Sequence, residues 1–155
     1  MRLKSALRRG VAAAVIAGIV VSSGIPAYAG TWNIADGDIT VKAGDAEGPN
    51  NVKQGDNDFV KDEGDTVITG KSDEHTVTID TSEGNVDVTF DDLKIDVSDK
   101  GEAAVRVEGN GDVTIELDGK NELKSGGHNA GLEKNGHESE GTLTIKDDNL
   151  SLIHI

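Results

Sequence analysis

The chain has 155 residues, with 29 acidic and 15 basic side chains, 20 glycines, two prolines and no cysteine. This composition excludes a disulfide scaffold, a collagen, a basic nucleic-acid binder and any site built on thiolates. Only 35% of the residues are hydrophobic, but most of these are Val, Ile and Leu, which favour strands over disorder. We therefore expect one folded all-β domain with a narrow core.

Residues 1–29 have the features of a signal peptide. Residues 11–21 form an uncharged apolar run, Ala27-Tyr28-Ala29 has the small-x-small cleavage pattern, and basic side chains precede both at Arg2, Lys4, Arg8 and Arg9. A membrane-spanning helix needs about 20 apolar residues, so this run is too short for an anchor. We predict cleavage after Ala29 and a secreted or cell-surface location. The mature chain would begin at Gly30, with no membrane span and with 11 basic and 29 acidic residues, a net charge of −18 that repels nucleic acid.

Residues 30–75 have an irregular pattern and are interpreted as a lead-in or cap of short strands. Apolar residues at Trp32, Ile34, Ile39 and Val41 predict a first hairpin around Asp36-Gly37. Phe59-Val60 and residues 66–68 predict further short strands. We therefore treat this segment separately from the more regular residues after it.

Residues 76–155 alternate apolar and polar side chains in short bursts, which is typical of half-buried strands. The bursts recur every 8 to 11 residues and begin at Val77, Val86, Ile95, Val105, Val113, Leu123, Leu132 and Leu143. Every third burst is similar, so three strands repeat as a unit of about 27 residues, which indicates a stacked array. The sequence predicts a right-handed parallel β-helix with three strands per coil.

The repeat predicts which strands should stack. Thr76-Val77 is followed by Ala104-Val105 and Gly131-Leu132. Val88-Thr89-Phe90 is followed by 113–115 and 143–145, and Ile95-Asp96-Val97 by 121–123 and 150–152. Corners at Gly84-Asn85, Asn110-Gly111 and Asn135-Gly136 would stack in the same way, with side-chain amides bonding along the column.

These segments resemble a known family. The run from Thr76 to Ile95, then 113–121, His128-Asn129-Ala130-Gly131-Leu132 and Gly141-Thr142-Leu143-Thr144-Ile145 is similar to the carbohydrate-binding domain family of clostridial and related bacterial surface proteins. The resemblance covers residues 32–149. It implies an extracellular right-handed β-helix with calcium sites that binds plant polysaccharides such as cellulose and acidic pectin.

The repeat pattern stops in mid-coil at Ser151–Ile155, with an apolar face and no capping unit. Family members of this kind usually continue through further coils. We therefore expect an N-terminal fragment whose array is truncated at the C-terminus.

Acidic residues recur at one predicted corner of successive coils. Like charges on neighbouring strands repel, and a divalent cation would remove that penalty. The sequence thus predicts a calcium site formed by Asp91, Asp92, Glu116, Asp118, Asp147 and Asp148. The alternative is a solvated acidic edge that keeps the array soluble and unpaired.

Sugar binding would rest on outward-facing threonines, since the mature chain has few aromatic residues. The expected ligand-binding residues are Trp32, Thr89, Thr114 and Thr144, with Thr78 in the same outward row. Trp32 has an alternative interpretation as a cover for the first coil.

Two other functions stay open at this point. One is a structural stalk or adhesin segment without a small ligand. The other is a pectin-degrading enzyme of β-helix fold, which is disfavoured because the mature chain has one arginine, Arg106, and no Gly-His-Gly segment. We expect no catalytic residues.

Overall fold

The computed structural model describes residues 30–45, 48–134 and 141–147, and these form an all-β domain. A 3-10 turn, Ile34–Asp36, follows the first strand. The strands are β1 Thr31–Asn33, β2 Ile39–Lys42, β3 Asn51–Gln54, β4 Val60–Lys61, β5 Thr66–Ser72, β6 Val77–Asp80, β7 Val86–Val97, β8 Val105–Glu108, β9 Val113–Asp118, β10 Glu122–Ser125, β11 Leu132–Lys134 and β12 Leu143–Lys146. The predicted signal peptide and Ser151–Ile155 lie outside the described residues. Within the described ranges, no helix has the length and apolarity needed to cross a bilayer.

The strands form two sheets. The first sheet has the order β1-β5-β7-β9-β12, with every neighbouring pair parallel, and β10 pairs with the second half of β7. The second sheet has the order β11-β8-β6-β2-β3-β4. It is parallel from β11 to β2 and antiparallel from β2 to β4. Strands close in sequence thus alternate between the sheets, while those one repeat apart pair.

The register matches the predicted repeat on the second sheet. Val77 pairs with Val105, and Val105 with Leu132, at offsets of 28 and 27 residues. Ile39 of β2 extends the same row by pairing with Val77. The prediction that these residues stack across successive strands is confirmed.

On the first sheet the predicted register is wrong by two residues. Val113 pairs with Val86, whereas we expected Val88 opposite it. In the same way Ile95 pairs with Leu123, whereas Asn121 was expected there. A two-residue shift keeps every side chain on its predicted face, so the alternation of the sequence is equally consistent with both registers. The expected third member of the last row, 150–152, lies outside the described residues.

The predicted hairpin around Asp36-Gly37 is also wrong. β1 belongs to the first sheet and β2 to the second, so the 3-10 turn between them is a corner. The hairpin pairings of this region are β2 with β3 and β3 with β4. Because β2 pairs with β6 and β5 with β7, the 30–75 segment extends the two sheets of the later repeats.

A second corner divides β7 and its neighbours. Asp92 has a positive φ of 49°, at the point where β7 stops pairing with β9 and starts pairing with β10. Gly119 (φ 65°) stands at the equivalent place between β9 and β10, and Gly70 (φ 93°) lies at the register shift in β5. Glycine adopts this left-handed conformation freely, and aspartate is one of the few other residues that tolerate it.

The core lies between the sheets and is formed by alternate strand residues. β7 shows the pattern most clearly, since Val86, Val88 and Phe90 are buried while the residues between them are partly or fully exposed. Each such side chain stabilises the fold by about 1.5–3 kcal/mol through burial. The largest fully buried side chains are Phe90, Ile34, Ile39, Ile68, Ile79, Leu93, Ile95 and Ile115.

Candidate functional site

The outward face of the first sheet carries the predicted threonines. Parallel strands in register place equivalent outward side chains in rows at about 4.8 Å spacing. Asp87, Thr114 and Thr144 form one such row across β7, β9 and β12. The structure therefore brings Thr114 and Thr144 together and adds Asp87, which sequence reasoning did not include.

Thr89 lies in the neighbouring row. It pairs with Val67 on one side and with Glu116 on the other, and Glu116 pairs with Lys146. Thr89 is thus diagonal to Thr114, within the range at which side chains on one face still interact. Thr78 lies on β6 in the second sheet, so the expected single threonine row is wrong.

Trp32 is only 7% exposed, so its ring offers no open face on which a sugar could stack. The indole Nε1 donates a hydrogen bond of 2.9 Å to Asp62 Oδ2. This placement is a correction to its expected role as a ligand platform, and it agrees with the alternative of a covering residue. Phe90 is 1% exposed, and Phe59 is half-buried with the Lys42 ammonium 5.0 Å from its ring centre.

The predicted acidic column is arranged differently from the expectation. Asp118 pairs with Asp91, not with Asp92. Asp92 lies at the corner, where its Oδ1 accepts a 2.9 Å hydrogen bond from the Lys120 backbone N–H of the next repeat. Its carboxylate also lies over Gly119, where an added Cβ would be 2.6 Å from Oδ1. Asp92 therefore has a structural role in joining two corners.

The remaining predicted metal ligands are spread out. Glu116 lies one row from Asp118 and faces Lys146, and Asp147 follows β12. Asp148 lies outside the described residues. Over residues 30–45, 48–134 and 141–147, no three His, Asp or Glu side chains come close enough together to hold a metal ion.

A charged face that the sequence analysis missed lies beyond the corner. Lys94 pairs with Lys71 and with Glu122, which places two ammonium groups side by side. Lys124 Nζ lies 2.6 Å from Glu122 Oε1 and 3.2 Å from Asp96 Oδ2. A shallow groove runs between these side chains. The sequence signal was the 28-residue spacing of Lys94–Glu122 and Asp96–Lys124.

The pKa values on this face follow from those contacts. Hydrogen bonds from Ser98 and then from Lys124 lower the pKa of Asp96. Glu122 and Asp96 together raise the pKa of Lys124. All of these groups are solvent-exposed, so the ion pairs order the face more than they stabilise the fold.

A buried carboxylate, Asp62, is the second feature that sequence reasoning missed. Its side chain is fully buried and accepts hydrogen bonds from the Gly30 backbone nitrogen at 2.8 Å and from Trp32. Desolvation by burial raises the pKa of Asp62 despite these bonds and those from Thr66 and Gly64. No sequence pattern marked Asp62, because its donors lie about 30 residues away.

Arg106 lies on the outward face of the second sheet. It pairs with Thr78 on one side and with Glu133 on the other. This strand position matches the outward placement expected from the sequence.

Comparison of the chain with protein-family models, with curated proteins and with solved structures gives no match. The function therefore has to be argued from the residues and their geometry.

Proposed function

We propose that the protein is a non-catalytic extracellular module that binds a plant cell-wall-type polysaccharide, cellulose or acidic pectin, on the outward face of the first sheet. The observation that carries the proposal is the row of Asp87, Thr114 and Thr144, with Thr89 diagonal to it. Hydroxyl and carboxylate groups are the partners that sugar hydroxyls use for hydrogen bonds. A row of them along the stacking direction suits an extended polymer.

The proposed architecture under this face is a right-handed parallel β-helix. Its support is the pairing of each strand with the one a repeat later, at offsets of 27 and 28 residues. A chain that returns to pair in parallel after two intervening strand segments has made one coil. Parallel crossover connections are right-handed in nearly all proteins, which is the reason for assigning that hand.

Binding on such a face would be weak for each sugar and cumulative along the chain. Trp32 and Phe90 are buried, so the stacking contribution of these rings is absent from the proposed site. Hydrogen bonds exposed to water contribute about 0.5–1.5 kcal/mol each. A polymer that contacts several rows gains affinity through multivalency, whereas a single sugar does not.

Calcium would assist the binding of an acidic polymer. The mature chain has a net charge of −18, so it repels a polyuronate unless a cation bridges the two. Asp91 and Asp118, which pair on neighbouring strands of the same face, are the carboxylates best placed to share such an ion with the ligand. Cellulose carries no charge and would not need this bridge.

The second candidate is a structural stalk or adhesin segment. The burial of Trp32 and Phe90 favours it, because these aromatic side chains serve the core and present no ring to a ligand. In that case the threonine rows would only keep the outer face soluble. A pectin-degrading enzyme is the remaining alternative and is disfavoured for the reasons that the sequence already supplies.

A pull-down on insoluble cellulose and on pectate, each with calcium and with a chelator, tests the proposal. We expect retention of the exported chain on at least one polymer, and retention on pectate only with calcium. Thr114→Ala combined with Thr144→Ala should lower retention about three- to tenfold. Thr40→Ala with Thr78→Ala is the matched control on the second sheet and should leave retention unchanged.

Each other outcome favours an alternative. Retention on neither polymer favours the stalk, and release of unsaturated or reducing sugars favours the enzyme. Pectate binding that persists in chelator removes the calcium bridge. Mass spectrometry of material from the culture medium tests export, since the mature chain should begin at Gly30.

A further inference from the structure

The buried carboxylate of Asp62 lies in a site built for an anion. Gly30 N donates to Oδ1 at 2.8 Å and Trp32 Nε1 donates to Oδ2 at 2.9 Å. Thr66 and Gly64 supply further donors. These donors satisfy the lone pairs of a carboxylate, yet none of them carries a charge.

Asp62 has no cation within ion-pair distance among the described residues. The adjacent Lys61 and Glu63 are exposed and pair with each other at 3.2 Å. A buried anion without a counter-charge is costly, because burial removes its hydration. Something else should balance the charge of Asp62.

Gly30 is held in place at this site from several sides. Its carbonyl accepts a 3.3 Å hydrogen bond from Val67 N, and its nitrogen faces Asp62. A Cβ at this position would lie 2.6 Å from Trp32 Nε1, so the indole leaves room only for glycine. The same glycine is the first residue of the mature chain expected from the Ala27-Tyr28-Ala29 pattern.

We propose that the new amino terminus of the processed chain is the counter-charge of Asp62, forming a buried ammonium–carboxylate pair that locks the first strand onto the domain. Hydrolysis of the Ala29–Gly30 bond adds water across it, leaving a carboxylate on Ala29 and an α-amine on Gly30. The α-amine takes up a proton at neutral pH and becomes an ammonium. The peptide N–H that points at Asp62 in the unprocessed chain is thereby replaced by a full positive charge at the same atom.

The pair is independent of polysaccharide binding and depends only on the predicted cleavage site. Removal of the leader would then complete the fold as well as release the protein. A precursor keeps an uncompensated carboxylate, so its first strand is held less firmly. The pairing would tell a processed chain from an unprocessed one through stability alone.

The first measurement is the pKa of the Gly30 α-amine in the exported chain, taken from the pH dependence of its acylation. The pair should raise this pKa by at least one unit above the ordinary value of about 7.7–8.0, which means about tenfold slower reaction than in the same chain unfolded in urea. Burial without a pair would lower the pKa instead. A lowered or unchanged pKa would overturn the proposal, as would a mature chain that begins elsewhere than at Gly30.

The second measurement is a double-mutant cycle on thermal unfolding. The α-amine is acylated selectively in denaturant near pH 6.5, where lysine amines are protonated, and the chain is refolded. Acylation should lower the unfolding midpoint of the Asp62 protein by about 5 °C or more and that of Asp62→Asn much less. Asp65→Asn, at an exposed carboxylate nearby, is the matched control and should respond like the unmodified sequence. Equal shifts in all three proteins would refute the pairing.

If Asp62→Asn does not fold, the α-amine pKa still decides the question, because it needs no variant. Polysaccharide retention is measured on the same exported chain. A chain that shows the pairing but binds no polymer separates this inference from the proposed function.

Discussion

At the scale of single residues, hydrogen bonds between repeats have replaced the amide ladder that the sequence suggested. Asn85 Oδ1 accepts from Asp112 N at 2.9 Å, and Asp112 Oδ1 accepts from Thr142 N at 2.7 Å. The column therefore runs through Asp112 and not through the neighbouring Asn110. Short polar side chains at corners can bond to the backbone of the next repeat as readily as to a like side chain.

Asn121 makes the buried version of this contact. It is 2% exposed, its Oδ1 accepts from Leu93 N at 2.9 Å, and its Nδ2 donates to Asp118 O at 2.9 Å. The first bond joins two repeats, and the second closes the corner between β9 and β10. Both backbone groups depend on this one amide.

Asn121→Ala should lower the free energy of unfolding by about 2–4 kcal/mol, because it leaves a buried donor and a buried acceptor unpaired. Asn121→Asp keeps the acceptor toward Leu93 N and should lose less. Asn110→Ala, at an exposed corner, is the control and should cost under about 0.5 kcal/mol. Urea denaturation measures all three variants. Equal stabilities of the Asn121→Ala and Asn110→Ala proteins would show that the bonds to Leu93 and Asp118 contribute nothing.

At the scale of elements, the corners rather than the strands set the spacing between repeats. An added Cβ on Gly111 would lie 2.2 Å from the Gly84 carbonyl oxygen, and one on Gly141 would lie 2.0 Å from the Gly111 oxygen. Gly84, Gly111 and Gly141 thus stack in backbone contact at the start of β7, β9 and β12. The absence of a side chain is what allows the three corners to approach at the strand spacing.

Gly111→Ala should separate this corner from its neighbours and destabilise the domain by about 2 kcal/mol or more, because the clash is with backbone. Gly101→Ala is the matched control, since nothing lies within 4 Å of its added Cβ. That variant should be neutral or slightly stabilising through reduced entropy of the unfolded chain. Thermal unfolding followed by circular dichroism compares the two. Equal shifts of the midpoint in both variants would contradict this role of the corner glycines.

At the scale of the whole molecule, the charge is the dominant unfavourable term that the fold does not remove. Side chains of like charge meet in register at Asp91–Asp118 and at Lys71–Lys94, and the mature chain is at −18 overall. Such an excess opposes the compact state through self-repulsion. Local pairs such as Lys124 with Asp96 and Glu122 relieve it at one face only.

Raising sodium chloride from about 0.02 M to about 0.5 M should therefore raise the unfolding midpoint of the exported chain, because the screening length falls below the spacing of most charges. The ion pairs on the Lys124 face are exposed and contribute little, so their loss should not reverse the trend. Choline chloride at equal ionic strength controls for specific sodium binding. A midpoint that falls with salt would mean that favourable ion pairs outweigh the repulsion.

The sequence by itself determined the strand class, the faces of the strands and the repeat of about 27 residues. These are properties of alternation and period, and they depend on which side chains need to be buried, whatever the neighbouring strand is. The buried members Val77, Val105 and Ile115 could be chosen on that basis. The outward placement of Thr89 and Thr114 came from the same alternation.

Only the tertiary structure decided which residues meet. A register shift of two residues leaves every face unchanged, so the pattern could not distinguish Val86 from Val88 as the partner of Val113. The corner role of Asp92 depends on the backbone of the next repeat. The burial of Trp32 against Asp62 depends on a contact across 30 residues. Alternation and period describe each strand alone, whereas contacts between distant segments arise only when the repeats are stacked.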